Sequence, residues 1–154
     1  MYVGGANVNH VDFEATTIEN ANWTSVDFNS GSCLCFRDGN IIKPTVAVGV
    51  RIAGATTDWK FDGNTMIDAV GTGIYVTTNG SIGSISNNDF TSGVSSIKAI
   101  WLAGSGGNIT ITNNEINYSG SSSIGIYNQA LSASANSDTI TGNELNGKST
   151  DSTP

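Results

Sequence analysis

A short pattern returns along this chain: Ile85-Ser-Asn-Asn-Asp-Phe90, then Ile111-Thr-Asn-Asn-Glu-Ile116, then Ile140-Thr-Gly-Asn-Glu-Leu145, with a degenerate copy at Phe61-Asp-Gly-Asn-Thr-Met66. Each copy sets an Asn three residues after one apolar side chain and two before another. The Asn residues fall at Asn64, Asn88, Asn114 and Asn143, a period of 24, 26 and 29 residues. A second element keeps step: Gly73-Ile74-Tyr75, Ala99-Ile100-Trp101 and Gly125-Ile126-Tyr127, spaced by 26 and 26. Self-similarity at this length specifies a stack of like units, each covering its neighbour's apolar face.

The units are written in a strand period. Ile109 and Ile111 share one face of Asn108–Thr112, with Thr110 and Thr112 on the other, and Ile74 pairs with Val76 while Tyr75 points away. Steps such as Asn79-Gly80, Ser105-Gly106-Gly107 and Ser119-Gly120 break these runs and permit positive φ. No stretch carries a capped apolar stripe of helical period. Short strands repeated at this spacing pair with the previous turn at about 4.8 Å. An Asn at the bend tolerates a left-handed backbone, and its amide can bond its counterpart one coil away. Asn64, Asn88, Asn114 and Asn143 therefore read as an internal, structural ladder. In the first third, Thr45–Ile52 alternates cleanly, which predicts Val46, Val48, Val50 and Ile52 on one side.

The run Asn108-Ile-Thr-Ile-Thr-Asn-Asn-Glu-Ile116, followed by Ser123-Ile-Gly-Ile-Tyr127, resembles the right-handed parallel β-helix repeat of pectate-lyase-like proteins and phage tailspikes. The resemblance covers residues 59–147. It implies an all-β, right-handed parallel β-helix solenoid. One domain is expected over 1–147, with irregular coils in 1–58, regular repeats in 59–147 and a polar tail at 148–154. At about 25 residues per coil the chain makes roughly six coils, or ~30 Å of axis.

Charged residues are 12% of the chain and the formal charge is −7. Six Lys and Arg cannot build a stripe that tracks phosphates, so nucleic acid is not an expected partner. No apolar run approaches the ~18 residues of a membrane span, and the first residues carry neither a basic nor an apolar signal region. Low charge with a Ser, Thr, Asn and Gly surface suits an exterior or particle-bound protein. Cys33 and Cys35 flank Leu34 in one strand, at the limit of disulfide reach, and no His or third Cys stands near to complete a zinc site. The expectation is two reduced thiols filling the interior, which suits folding in a cytoplasm.

Among proteins with the resembling repeat, lyases use Ca²⁺-binding acids with an Arg or Lys base. The hydrolases cluster Asp in Asn-Thr-Asp and Asp-Asp motifs, followed by Gly-His-Gly and Arg-Ile-Lys. Here no Asp-Asp pair occurs, His10 lacks Gly flanks, and Arg51-Ile52 is followed by Ala53. No catalytic residue carries over, and no cofactor or metal is implied. Asp89, Glu115 and Glu144 each follow a ladder Asn and should stack outward as an acidic edge, open in principle to a hard cation. Asp58 and Asp62 flank Trp59-Lys60-Phe61 and would have to converge in a groove to serve a glycosidase.

Tyr75, Trp101 and Tyr127 each follow an inward Ile, which places all three on the outer face across consecutive coils. Such a row calls for a cover, either a subunit or a sugar chain, unless a bulge turns it into the core. Leu34 and Phe36 join it as contact candidates if the two Cys face inward. The leading expectation is a non-enzymatic structural protein of a virion, assembled in the host cytoplasm, decorating a capsid or forming part of a tail spike or fibre. Its partners would be its own copies, a trimer by resemblance to tailspikes, and a larger particle protein. The alternatives are a carbohydrate-active enzyme, or a fragment of one, and a β-helix that binds a surface polysaccharide without cleaving it.

Overall fold

A computed structural model of the chain describes residues 2–3, 9–19, 24–45, 47–54, 56–77, 81–103, 107–129 and 138–147. The tail at 148–154, Val46 and the turn residues Asn79-Gly80 and Ser105-Gly106 lie outside them. The described residues form eighteen strands and no helix, three strands to a rung. The first rung is β1 (Tyr2–Val3), β2 (Asn9–Glu14) and β3 (Thr17–Glu19), and the second is β4 (Thr24–Phe28), β5 (Gly31–Arg37) and β6 (Ile41–Lys43). The third is β7 (Val48–Ile52), β8 (Thr56–Asp62) and β9 (Thr65–Ile67), and the fourth β10 (Thr72–Val76), β11 (Ile82–Ser86) and β12 (Asp89–Ser92). The fifth is β13 (Lys98–Leu102), β14 (Asn108–Thr112) and β15 (Glu115–Tyr118), and the sixth β16 (Ile124–Asn128), β17 (Thr139–Thr141) and β18 (Glu144–Gly147).

Each strand pairs in parallel with its counterparts one rung away. Three six-stranded sheets result: A from the first strand of every rung, B from the second and C from the third. The molecule is a parallel β-solenoid of about five turns. Inward side chains stack in columns. Phe13, Phe36, Phe61, Ile85 and Ile111 line up in sheet B, with Phe13 and Phe36 centroids 4.5 Å apart. Ile42, Met66, Phe90 and Ile116 do so in sheet C, and Val26, Val50, Ile74 and Ile100 in sheet A.

The bend between sheets B and C holds the Asn ladder. Asn40 donates its Nδ2 to Asn64 Oδ1 at 2.7 Å, and Asn64, Asn88 and Asn114 repeat the bond upward to Asn143 at 3.2, 2.9 and 2.8 Å. The same amides donate to carbonyls of the rung before, such as Asn88 to Phe61 and Asn114 to Ile85. The ladder is longer than its four sequence-legible members. It gains Asn40, and Thr16 takes its place in the first rung, where its N–H donates to Asn40 Oδ1. The left-handed residue at the bend is not the ladder Asn but the one before it: Gly63, Asn87, Asn113 and Gly142 all have φ of 55–65°.

Two features break the strict alternation. In sheet B, His10, Cys33 and Asp58 take φ of 62°, 52° and 55°, a column of left-handed residues in register over the first three rungs. The partner β11 has no such residue, and the pairing steps from Thr57↔Ile82 to Trp59↔Gly83. In sheet A, Gly49 faces Met66, Gly73 faces Phe90 and Gly125 faces Leu145, with Ala99 at the equivalent place. Large sheet C side chains cross the interior there and leave room only for small residues. Gly49 thus takes an inward place beside Val50; of the expected row Val50 and Ile52 are buried, Val48 at the start of the strand is only half-buried, and Val46 lies outside the described residues.

Candidate functional site

Sheet A carries the most distinctive exterior of the molecule. Ile74, Val76, Ile100 and Leu102 are fully buried, so the residues between them face outward. Tyr75 pairs in register with Trp101, and Trp101 with Tyr127. The strand spacing brings the rings into contact: Tyr75 and Trp101 centroids lie 4.5 Å apart at 30°, Trp101 and Tyr127 6.0 Å apart at 45°. Lys98, three residues before Trp101 on the same strand, sets its Nζ 4.6 Å over the Trp101 ring and 5.6 Å over that of Tyr127. All three rings are half-buried. The Trp101 Nε1–H is enclosed without a hydrogen-bond partner.

The column continues in the other direction with charge. Tyr75 pairs with Arg51, Arg51 with Asp27, and Asp27 with Tyr2. Arg51 meets the Asp27 carboxylate with both Nε and Nη2, at 3.0 and 2.6 Å. This fork lifts the guanidinium above its already high range, with the hydrogen bond to Asp27 as the largest cause. One outer stripe therefore runs Tyr2, Asp27, Arg51, Tyr75, Trp101, Tyr127, of which the sequence pattern shows only the three aromatic residues one repeat apart.

Leu34 and Phe36 do not belong to this surface. Both are completely buried in sheet B, and Phe36 packs against Phe13, Phe28 and Phe61. Cys33 and Cys35 take the other parity and are half-buried free thiols. The larger apolar side chains win the interior because they remove more apolar area from water. The Cys33 thiol donates to Asp58 Oδ2 at 3.3 Å, and that bond raises its pKa; burial raises that of Cys35.

The acidic candidates separate into two groups. Asp89, Glu115 and Glu144 stack in register on sheet C. Each is held by a side chain two residues on: Thr91 Oγ1 donates to Asp89, Asn117 Nδ2 to Glu115 and Asn146 Nδ2 to Glu144. Asp58 and Asp62 lie on β8 around the buried Trp59, where Asp62 Oδ1 accepts from both Ser86 Oγ and Asn87 Nδ2 at 2.7 Å. Among the described residues no group of three or more His, Cys, Asp or Glu is placed to hold a metal ion. Three of the cations are paired, Arg37 with Asp12, Lys43 with Glu19 and Arg51 with Asp27.

Compared with protein-family models, curated proteins and solved structures, the chain matches none. The fold and the site define the chain as a parallel β-solenoid with an internal Asn ladder and an aromatic, charged stripe on one sheet.

Proposed function

We infer that this chain is a non-enzymatic structural module that assembles through the outer face of sheet A. The observation that carries this reading is the half-buried Tyr75–Trp101–Tyr127 column, prolonged by the Arg51–Asp27 fork. Aromatic and Arg side chains with part of their area still open are the residues that protein interfaces enrich and bury. A sugar chain needs an open ring face to lie on. Here Tyr75 and Trp101 turn faces toward each other and Lys98 covers Trp101, so the column presents mainly edges. That geometry suits a protein partner better than a glycan.

The setting proposed is a virus particle assembled in the host cytoplasm, with the module decorating a capsid or forming part of a tail spike or fibre as a homotrimer. Its support is the resemblance of the repeat to phage tailspikes within the pectate-lyase-like superfamily, together with the low-charge surface and the free thiols. A carbohydrate-active enzyme is less well served, because Asp62 is engaged by Ser86 and Asn87, and Asp58 by Cys33.

Light scattering across a dilution series tests this reading. A persistent trimer of the 15.9 kDa chain that Trp101→Ala dissociates, with the β-sheet circular dichroism unchanged, is the expected outcome. A monomer at all concentrations, or an oligomer indifferent to Trp101→Ala, overturns it.

A further inference from the structure

The first and sixth rungs each turn one face away from the stack, and these two faces match. On the sixth rung Ile140 and Leu145 are 42% and 56% exposed, whereas Ile111 and Ile116, their register partners one rung below, are sealed. On the first rung Phe13 and Ile18 are half-buried, against complete burial of Phe36 and Ile42 above them. The same columns therefore run open at both faces. Phe13 begins the column that Ile140 closes, and Ile18 the one that Leu145 closes. Uncovered core side chains beside a row of strand edges form a surface on which a further rung can pair.

The hydrogen bonds at the bend point the same way. The residue after each ladder position donates its N–H to the ladder carbonyl one rung below: Ile41 to Thr16, Thr65 to Asn40, Asp89 to Asn64, Glu115 to Asn88 and Glu144 to Asn114. Next in that series stands the Asn143 carbonyl, for which Thr17 N–H of a second copy would be the donor. Each ladder N–H in turn donates to the side-chain oxygen one rung up, from Asn40 to Asn64 through to Asn114 and Asn143. A second copy offers Thr16 Oγ1 to the Asn143 N–H. That hydroxyl donates to the Glu14 carbonyl and keeps lone pairs with which to accept. Asn143 Nδ2 already donates to the Ile111 and Thr141 carbonyls, so a single hydroxyl acceptor is what the position needs.

Outward side chains decide which partner fits and in which direction. Extending the register by one rung sets Asp12 over Thr139, Glu14 over Thr141, Glu19 over Asn146 and Thr17 over Glu144. Each of these carboxylates then meets a hydroxyl or an amide, and none meets another carboxylate. Tyr2, 63% exposed, falls beside Tyr127 and carries the sheet A stripe onward. Two copies set head to head would instead bring Asp12, Glu14 and Glu19 of each together, a like-charge contact that costs affinity. That arrangement also turns the strands antiparallel and breaks the columns.

We propose that the sixth-rung face of one copy receives the first-rung face of a second, a head-to-tail contact that carries the three sheets and the Asn ladder across the joint. The contact is heterologous and does not close, so it builds an axial file of copies. It goes beyond the lateral assembly through sheet A and does not use Trp101, which lies on the fifth rung.

A double variant, Thr17→Cys with Glu144→Cys, reads the joint itself. The extended register places these two positions one strand spacing apart, about 4.8 Å, within disulfide reach. Inside one copy they stand five spacings apart, about 24 Å, and cannot link. Oxidised with diamide while folded, the double variant should give a ladder of covalent dimers, trimers and higher multimers on a non-reducing gel. Peptide mapping should place the bond between positions 17 and 144. Either single variant should give no more than the background of the parent protein with its free Cys33 and Cys35. Leu145→Glu, at an exposed place, should abolish the ladder with the circular dichroism unchanged. Trp101→Ala should leave the ladder intact, so that this contact and the sheet A assembly fail separately. No ladder from the folded double variant, a ladder from either single variant, or bonds between like positions overturns the joint. So does a ladder that Leu145→Glu leaves unchanged or that Trp101→Ala removes.

Discussion

Asn88 Oδ1 receives two hydrogen bonds from Asn64, one from the backbone N–H at 2.9 Å and one from the side-chain Nδ2 at 3.2 Å. Asn88 in turn donates to Asn114 and to the Phe61 carbonyl. Replacing it with Ala strands the buried Asn64 N–H and takes the side-chain donor from the Phe61 carbonyl, while Asn64 Nδ2 keeps its bonds to the Phe36 and Asp62 carbonyls. With roughly 1–3 kcal/mol for each buried group left without a partner, partly relieved by relaxation, Asn88→Ala should cost on the order of 3 kcal/mol. Asn143→Ala, at the more open sixth rung, should cost about 1 kcal/mol. Urea denaturation of both variants checks the ratio, and equal losses would mean that burial does not grade the ladder.

The ladder was legible because Asn64, Asn88, Asn114 and Asn143 keep a fixed distance from flanking apolar residues. Asn40 was not, since Gly39 adds one residue between Phe36 and the bend and breaks the spacing. The left-handed residues His10, Cys33 and Asp58 were not legible, because His and Asp, though favoured at positive φ, stand at many other places in extended strands and Cys has no such preference. Cys33 and Cys35 were expected inside because alternation fixes which residues share a face but not which face is inward. The aromatic column was legible from its 26-residue step, whereas its extension through Arg51 and Asp27 is a matter of register between sequence-unlike rungs. Tyr118 closes a strand like any apolar residue, and only its buried hydroxyl, without a hydrogen-bond partner, sets it apart.

Gly83 lies under the Trp59 indole. A Cβ there would stand 2.2 Å from Trp59 Cδ2, and the ring is pinned by its Nε1–H bond to Ser81 Oγ at 2.7 Å. Gly83→Ala should therefore destabilise by about 1–3 kcal/mol through overpacking. Adding Trp59→Phe should return part of that loss, giving a coupled, non-additive cycle. Additive losses in urea melts would separate the two residues.

Asp58 holds the Cys33 thiol protonated by accepting its S–H, and this bond is the largest cause of the raised pKa. Asp58→Asn removes the carboxylate and should lower that pKa. More thiolate at pH ~8 then means faster alkylation of Cys33 by iodoacetamide, since the thiolate is the reacting species. Cys35, raised first by burial, should keep its rate to within about twofold. Peptide mapping after timed quenching reads both sites, and an unchanged Cys33 rate would show that the Asp58 bond does not control it.

Burial pushes the Tyr118 phenol well above the ordinary tyrosine range. The fold keeps the neutral form, while the unfolded chain ionises near pH ~10. Tyr118 therefore leaves stability unaffected below that pH. Its effect appears above it, where the unfolded state sheds a proton that the folded state retains, and stability falls as pH rises toward the folded pKa. Tyr118→Phe should flatten part of that alkaline decline in thermal melts. In an absorbance titration at about 295 nm, parent and variant should gain the same phenolate signal up to about pH 11, because Tyr118 stays protonated while folded. A smaller signal in the variant over that range would show that Tyr118 ionises in the folded protein and is not closed off from water.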